Sequence, residues 1–298
     1  MATRTLVTGA TGFLGRNLTR ELLARGGEVA ILHRDSSRSS ELADELSAAG
    51  ATVLRYAGAS ELRDHVIGFA PDRVFHLATL YSRHHSSRDI EQMIDANVAT
   101  STHLFDALVG SDCTVVATQT FFQYVGGVPQ PYSLYSATKE ASSVIAEYYR
   151  KVAGLDVREA ILYDTFGPGD TRDKLLPHLL DSFATGSAMA LGPRAQPINL
   201  LYVDDVANGL IAAAAPGGAA RICLRSAFET TVGEVVEVIR AISGSAVEVS
   251  FDDSRSINEL VRNSGTWPSP TGWSAVVPLS DGVRSAWEWQ TKQRDPLR

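Results

Sequence analysis

The chain has 298 residues, 44% hydrophobic and 20% charged, a balance that fits a folded globular protein and excludes a disordered one. The formal net charge is -7, so no nucleic-acid or anionic-membrane partner is expected, since both recruit basic patches. The length suits one or two domains, and the longest apolar run falls far short of the ~20 residues of a membrane span.

Met1-Ala2-Thr3-Arg4 leads into a strand-like run without a signal-peptide layout. Strands are predicted over 5–8, 29–33, 52–56, 73–78 and 114–118, with helices over 14–25, 39–49, 61–69 and 90–109 between and after them. The strands are apolar throughout, the pattern of a parallel sheet covered by helices on both faces. A helix over 134–153 and a strand over 156–162 continue the rhythm. The expected class is therefore α/β, a Rossmann doubly wound parallel sheet with right-handed crossovers. Beyond Phe166-Gly167-Pro168-Gly169, Gly and Pro cluster at 167–169, 192–197 and 216–218 and the rhythm breaks. A strand over 200–203 capped by Asp204-Asp205 precedes an alanine-rich helix over 206–215, and 279–289 reads as a last amphipathic helix. The division expected is 1–165 with about 200–226 as the Rossmann domain, and 166–199 with 227–298 as a smaller, interleaved C-terminal domain that would hold the substrate. Cys113 and Cys223 make no disulfide framework and no zinc quartet; they read as core thiols in a reducing cytoplasm. No metal site is expected, because the adjacent His84 and His85 splay apart.

Two motifs carry chemistry. The run Thr8-Gly9-Ala10-Thr11-Gly12-Phe13-Leu14-Gly15 follows the first strand and opens the first helix. Gly9 permits the tight turn, Gly12 removes a side chain where a pyrophosphate approaches, and Gly15 lets the helix pack closely. Around Thr11, Phe13 and Leu14 the helix start offers N–H groups and a positive dipole end to phosphates. The second strand ends in His33-Arg34-Asp35, with His33 in the slot where an acid would bind the ribose 2′-hydroxyl of NAD. Arg34 can stack on adenine and hydrogen-bond a 2′-phosphate, so NADP(H) is the expected cofactor; the alternative is a solvated Arg34 with Asp35 on the ribose. Further on, Tyr135-Ser136-Ala137-Thr138-Lys139 places a phenol and an ammonium four residues apart on one helix face. A nearby cation favours the phenolate and fits the tyrosine for proton transfer.

With His76-Leu77-Ala78, Asn97, the Thr120 segment, Phe166-Gly167-Pro168-Gly169-Asp170 and Tyr202-Val203-Asp204-Asp205, these motifs resemble the extended short-chain dehydrogenase/reductases of nucleotide-sugar metabolism, the NAD-dependent epimerase/dehydratase superfamily. Several short segments, Thr120-Phe121-Phe122 among them, are similar to NDP-hexose 4-ketoreductases of the CDP-abequose synthase type. The resemblance implies a catalytic Thr120, four residues before Tyr124, with Thr118 as its competitor, alongside Tyr135 and Lys139. It implies cofactor contacts at Leu77, Ala78, Thr79, Asn97 and Thr118, and substrate contacts at Tyr81, His84, Phe121, Phe122, Tyr163 and Asp164. The family's arginine before Val-Asp-Asp is Ile198 here, leaving Arg194, Arg172 or Arg255 to grip a pyrophosphate, with Arg194 the expected substrate contact. Related 4,6-dehydratases carry Asp-Glu where Phe121-Phe122 stand, which disfavours dehydration. The resemblance thus implies a cytoplasmic, homodimeric NADPH-dependent ketoreductase acting at C4 of a nucleotide-linked deoxysugar. The alternatives are a reductase of a non-nucleotide ketone or aldehyde and a sugar 4-epimerase.

Overall fold

The computed structural model describes residues 2–34, 39–82 and 84–294; Asp35 lies outside the described residues. The chain divides into two compact units, one of Met1–Leu162, Ala207–Cys223 and Ser264–Trp273, the other of Tyr163–Val206, Leu224–Asn263 and Ser274–Arg298.

The first unit is built on a parallel sheet of seven strands: β1 (Arg4–Thr8), β2 (Glu28–Arg34), β3 (Thr52–Tyr56), β4 (Arg73–His76), β5 (Thr114–Thr120), β6 (Asp156–Leu162) and β7 (Arg221–Leu224). Their order is β7-β6-β5-β4-β1-β2-β3, so the winding reverses between β1 and β4. In open sheets of this kind ligands bind where the order reverses, beyond the carboxyl ends of the strands. Register puts Thr8 level with both Leu32 and His76, and Thr120 level with Leu162, so the strands finish along one edge. Helices α1 (Phe13–Ala24), α2 (Ser40–Ala48) and α3 (Ala59–Phe69) follow the first three strands. The single helix expected over 90–109 is three pieces: α4 (Asp89–Ile94), a π-helical turn (Asp95–Ala99) and α5 (Thr100–Ala107). α6 (Leu134–Lys151) starts with a reciprocal cap between Ser133 and Ser136 and ends with Arg150 and Lys151, which suit the negative end of the helix. Leu6, Val74, Leu104, Phe105, Val115 and Val157 centre the core of this unit.

The second unit replaces the long sheet with paired short strands: Asp164–Phe166 beside Leu200–Tyr202, Met189–Leu191 beside Val249–Phe251, and Pro197–Ile198 beside Thr230–Thr231. Helices α7 (Leu175–Thr185), α9 (Val232–Ser243) and α10 (Leu279–Arg294) cover them, and Leu179, Phe183, Val235, Ile239 and Val283 make its core. Between them in sequence, α8 (Val203–Ala213) starts one turn earlier than expected. Asp204 and Asp205 are thus first-turn residues, not caps. Asp205 is buried, and its carboxylate accepts from the N–H groups of Val276 (3.1 Å) and Val277 (3.0 Å). Among the described residues no helix is long and apolar enough to cross a membrane.

Candidate active site

The turn after β1 is shaped by backbone proximity. Gly9 has φ +68°, and a Cβ there would stand 2.6 Å from Ala78 N and 2.7 Å from Leu77 C. A Cβ on Gly15 would stand 2.1 Å from Gly9 O, so the helix packs on the turn only because that atom is missing. Gly12 is exposed and a Cβ on it would meet only Gly9 O, at 3.2 Å. No side chain caps α1 and its first turn carries no acid. Thr11 and Leu14 are half-buried beside Gly12, and Phe13 is buried. A helix start with no side-chain cap and no acid in its first turn, beside a glycine that presents backbone, fits a dinucleotide phosphate.

Polar side chains hold the loop after β4 against this turn. The Ser101 hydroxyl donates to Asn97 O (2.9 Å), so at its 2.8 Å contact with His76 it accepts from Nε2–H. His76 Nδ1 then accepts from the Thr8 hydroxyl (2.7 Å), whose oxygen accepts from Ala78 N–H (3.2 Å). Burial, aided by the charge of Lys139, pushes His76 down to about 3 and keeps it neutral for this task. Asn97, in the π-helical turn, accepts from Thr79 Oγ1 (2.9 Å) and Leu80 N (2.7 Å) and donates to Leu80 O (3.1 Å) and Thr138 Oγ1 (2.9 Å). Thr138 in turn donates to Tyr135 O (2.8 Å). Asn97 therefore fixes both the loop and the first turns of α6 with its full amide capacity.

At the end of β2, His33 is buried and Arg34 exposed. The Arg34 guanidinium pairs with Asp95 (2.5 Å), donates to Thr100 Oγ1 (3.0 Å) and lies 5.6 Å from the centre of the Tyr56 ring.

Thr120 ends β5 and caps the turn Phe121–Gln123, where Phe122 N–H reaches its hydroxyl (3.4 Å) and Gln123 Oε1 accepts from its N–H (2.9 Å). Thr118 lies on the same strand face two residues deeper, with its hydroxyl 3.4 Å from His76 O. The turn packs on α6, and Gln123 donates to Glu140 there (2.9 Å). On α6, Lys139 is 3% exposed, and burial lowers its ammonium to about 8 although the charge of Glu159 opposes the shift. Tyr135, half-buried, meets Tyr81 edge to face at 5.0 Å. Phe121 and Phe122 lie 4.0 Å apart between ring centres, and Phe122 also meets Tyr132 at 5.3 Å. This end of the first unit thus carries a hydroxyl at the end of β5 and, on α6 packed beside it, a phenol and a buried amine, with the aromatic pair Phe121 and Phe122 in the turn between them in sequence.

The other candidates lie elsewhere. His84 is exposed in its loop. In the second unit Tyr163 is buried beneath the Arg225 guanidinium (5.0 Å), and Asp164 pairs with Lys174 (3.5 Å). Arg194 pairs with Glu237 (2.7 Å), stacks on Phe251 (4.9 Å) and covers Gly233, where a Cβ would strike its chain at 2.4 Å. Arg172 is taken by Asp170 and Thr165, and Ile198 is core. Among the described residues no group of His, Cys, Asp or Glu could hold a metal. Residue patterns alone pass over Thr8, Ser101, Gln119, Ser143, Glu159 and Arg221, whose partners come from distant segments. Charged residues in mid-strand, as Arg158 and Glu159 are, give a sequence signal for Glu159 alone.

A reversal point lined by bare backbone, with a Tyr/Lys helix beside the next strand end, defines a Rossmann-like α/β protein. Residues 5–222 match the NAD dependent epimerase/dehydratase family, and the chain belongs to it. It is 26% identical over 315 residues to a dTDP-glucose 4,6-dehydratase of Streptomyces griseus, covering 99% of this chain and 96% of the relative. It is 24% identical over 213 residues to the CDP-abequose synthase of Yersinia pseudotuberculosis, covering 70% of this chain and 72% of the relative. Its fold matches the UDP-glucuronic acid 4-epimerase of Bacillus cereus, solved with UDP-glucuronic acid and NAD, at a TM-score of 0.82 and 20% identity, over 98% of this chain and 100% of that one.

Proposed function

We propose that the protein is an NADPH-dependent ketoreductase that reduces a keto group, at C4, of a nucleotide-linked deoxysugar. The observation that carries the reading is the strand end Thr120-Phe121-Phe122 beside the Tyr135/Lys139 face of α6. A bound nicotinamide supplies the hydride. The Tyr135 hydroxyl gives its proton to the carbonyl oxygen as that oxygen gains charge. Lys139, still an ammonium at neutral pH with a value of about 8, stabilises the phenolate left behind and holds the cofactor ribose. The Thr120 hydroxyl hydrogen-bonds the same oxygen. The wall formed by Phe121 and Phe122 offers no acid or base to eliminate water, so reduction, not dehydration, is the net reaction. Gly9, Thr11, Gly12, Phe13, Leu14 and Gly15 would hold the pyrophosphate, and Leu77, Ala78 and Thr79 the path of the dinucleotide. The Arg34 guanidinium would take the 2′-phosphate in competition with Asp95. Relatives that act on UDP-, dTDP- and CDP-sugars support the substrate class.

The reading extends to a homodimer. α6 leaves Val144, Tyr148 and Val152, each four residues on from the last, 62%, 55% and 71% exposed, and α4 leaves Ile90 and Ile94 exposed. A second copy would cover this stripe. A cytoplasmic setting suits two free, buried cysteines. A reductase of a free ketone or aldehyde is the second reading, favoured by Ile198 lying in the core and by the engagement of Arg172 and Arg194 within the protein.

The test is NADPH consumption with a panel of 4-keto-6-deoxyhexose nucleotides, set against simple ketones and aldehydes. Turnover with the nucleotides alone supports the proposal, and turnover with only the simple carbonyls replaces it with the second reading. A lower KM for NADH than for NADPH would remove the NADP assignment.

A further inference from the structure

Glu159 lies in the middle of β6, wholly buried. Its carboxylate accepts from Gln119 Nε2 (3.0 Å), from the Ser143 hydroxyl, and from Arg221 Nε (3.2 Å) and Nη2 (2.7 Å). Arg221 also donates to Ser143 Oγ (3.0 Å) and lies over the ring of Tyr124 (5.6 Å). The amide of Gln119 can face the carboxylate only through its nitrogen, which fixes its orientation and leaves Oε1 buried with no hydrogen-bond partner among the described residues. An ion pair that served stability alone would need only the arginine. Here the partners come from the elements that hold the reacting groups. Gln119 directly precedes Thr120 on β5, while Tyr135, Lys139 and Ser143 follow one another at steps of four along one face of α6.

We propose that Glu159, paired with Arg221, is a positioning residue for the reducing centre: through Gln119 and Ser143 it ties the Tyr135/Lys139 face of α6 to the strand end of Thr120 and brings its charge to bear on Lys139. The inference rests on the ketoreductase reading for what Lys139 does. Among the described residues, the titratable and charged groups on the elements packed against α6 include His103 and Asp106 on α5, Asp95 in the π-helical turn, Asp156, Arg158 and Glu159 on β6, and Tyr135 and Glu140 on α6 itself; of the groups around Lys139, Glu159 and His76 on β4 are the ones coupled to its charge. His76 is neutral, and Glu159 is the charge that opposes the effect of burial on the amine.

The chain has four lysines, Lys139, Lys151, Lys174 and Lys292, and of these only Lys139 is buried. Labelling lysine with 13C at Cε therefore lets NMR follow the Lys139 titration in the ligand-free protein. Glu159→Gln should lower its midpoint by ~1 pH unit or more. Glu159→Gln/Arg221→Gln, which leaves no unpaired Arg221 and so keeps the test alive if the single variant fails to fold, should lower it by less, because the opposing charge of Arg221 goes with the carboxylate. Ser143→Ala keeps both charges and should leave it in place, a contrast that a purely structural role would not produce. A midpoint unmoved in whichever charge variant folds overturns the inference. Turnover that survives Lys139→Ala instead sinks the ketoreductase reading, and the titration, which needs no substrate, still reports on Glu159.

Discussion

Lys139 and Arg194 are both cations in positions where a ligand cation is expected, yet they stand in opposite surroundings. Lys139 rides on a long capped helix, is 3% exposed, and holds its proton against burial with help from a carboxylate. Arg194 lies in a loop of the second unit with its side chain 51% exposed, paired to Glu237 and stacked on Phe251. A charge kept buried at an energetic cost is retained for a task, whereas an exposed guanidinium with partners in its own unit is satisfied as it stands. The proposed reacting groups stand on regular elements of the first unit, and Arg172 and Arg194 of the second are engaged in local pairs.

The comparison breaks most visibly at Tyr135. Tyr135→Phe removes the proton donor and leaves the ring against Tyr81, so kcat should fall by ~10²–10⁴ while NADPH affinity stays close to wild type. Near-normal turnover would take α6 out of the chemistry. Lys139→Met comes next and acts on stability with the opposite sign. The folded value of about 8 lies below the ordinary 10.5, so the folded state holds the proton less well than the unfolded one. Stability therefore rises with pH between those two values, and the penalty is fully present below about 8. Removing the amine should stabilise the fold at neutral pH by up to ~3 kcal/mol while abolishing turnover. The gap in Tm between variant and wild type should close as pH rises towards the ordinary lysine value; a variant less stable than wild type at neutral pH would contradict the picture of a strained, functional amine.

How much of this could be read from the sequence depends on whether the relevant partner is local. The strands were legible because short runs with β-branched and apolar residues recur between helical stretches, and 156–162 and 52–56 emerge with the predicted bounds. The glycine turn was legible because Gly9 and Gly15 answer to steric demands within a few residues. The π-helical turn was not, because Asp95–Ala99 keeps the helical period while Asn97 is drawn toward Thr79 and Leu80. Asp205 looked like a cap because its partners, Val276 and Val277, lie far along the chain. Where β5 stops, which the pairing of Thr120 with Leu162 shows, is not set by local pattern. Arg34–Asp95 and Glu159–Arg221 likewise depend on register and winding, not on spacing.

Arg34→Ala sharpens the comparison at the other end of the crevice. A charge-assisted hydrogen bond is worth ~1.5–3 kcal/mol, so the KM for NADPH should rise ~10- to 100-fold with that for NADH little changed. An equal loss for both cofactors would make Arg34 a structural partner of Asp95 and no phosphate ligand.

The smallest effect is expected at Arg194→Ala, and it bears most directly on the second unit. To reach a substrate phosphate, this side chain must give up Glu237 and leave Phe251, and Gly233 leaves no room for it to settle more deeply. An exposed pair of this kind is worth ~0.2–1 kcal/mol, so stability and the KM of a nucleotide-linked ketone should each shift by no more than a few-fold equivalent. A rise in KM of ~10-fold or more with kcat unchanged would show that the guanidinium leaves Glu237 to bind substrate. Ile198 would then be compensated from an exposed loop, and the contrast drawn with Lys139 would describe only the ligand-free protein.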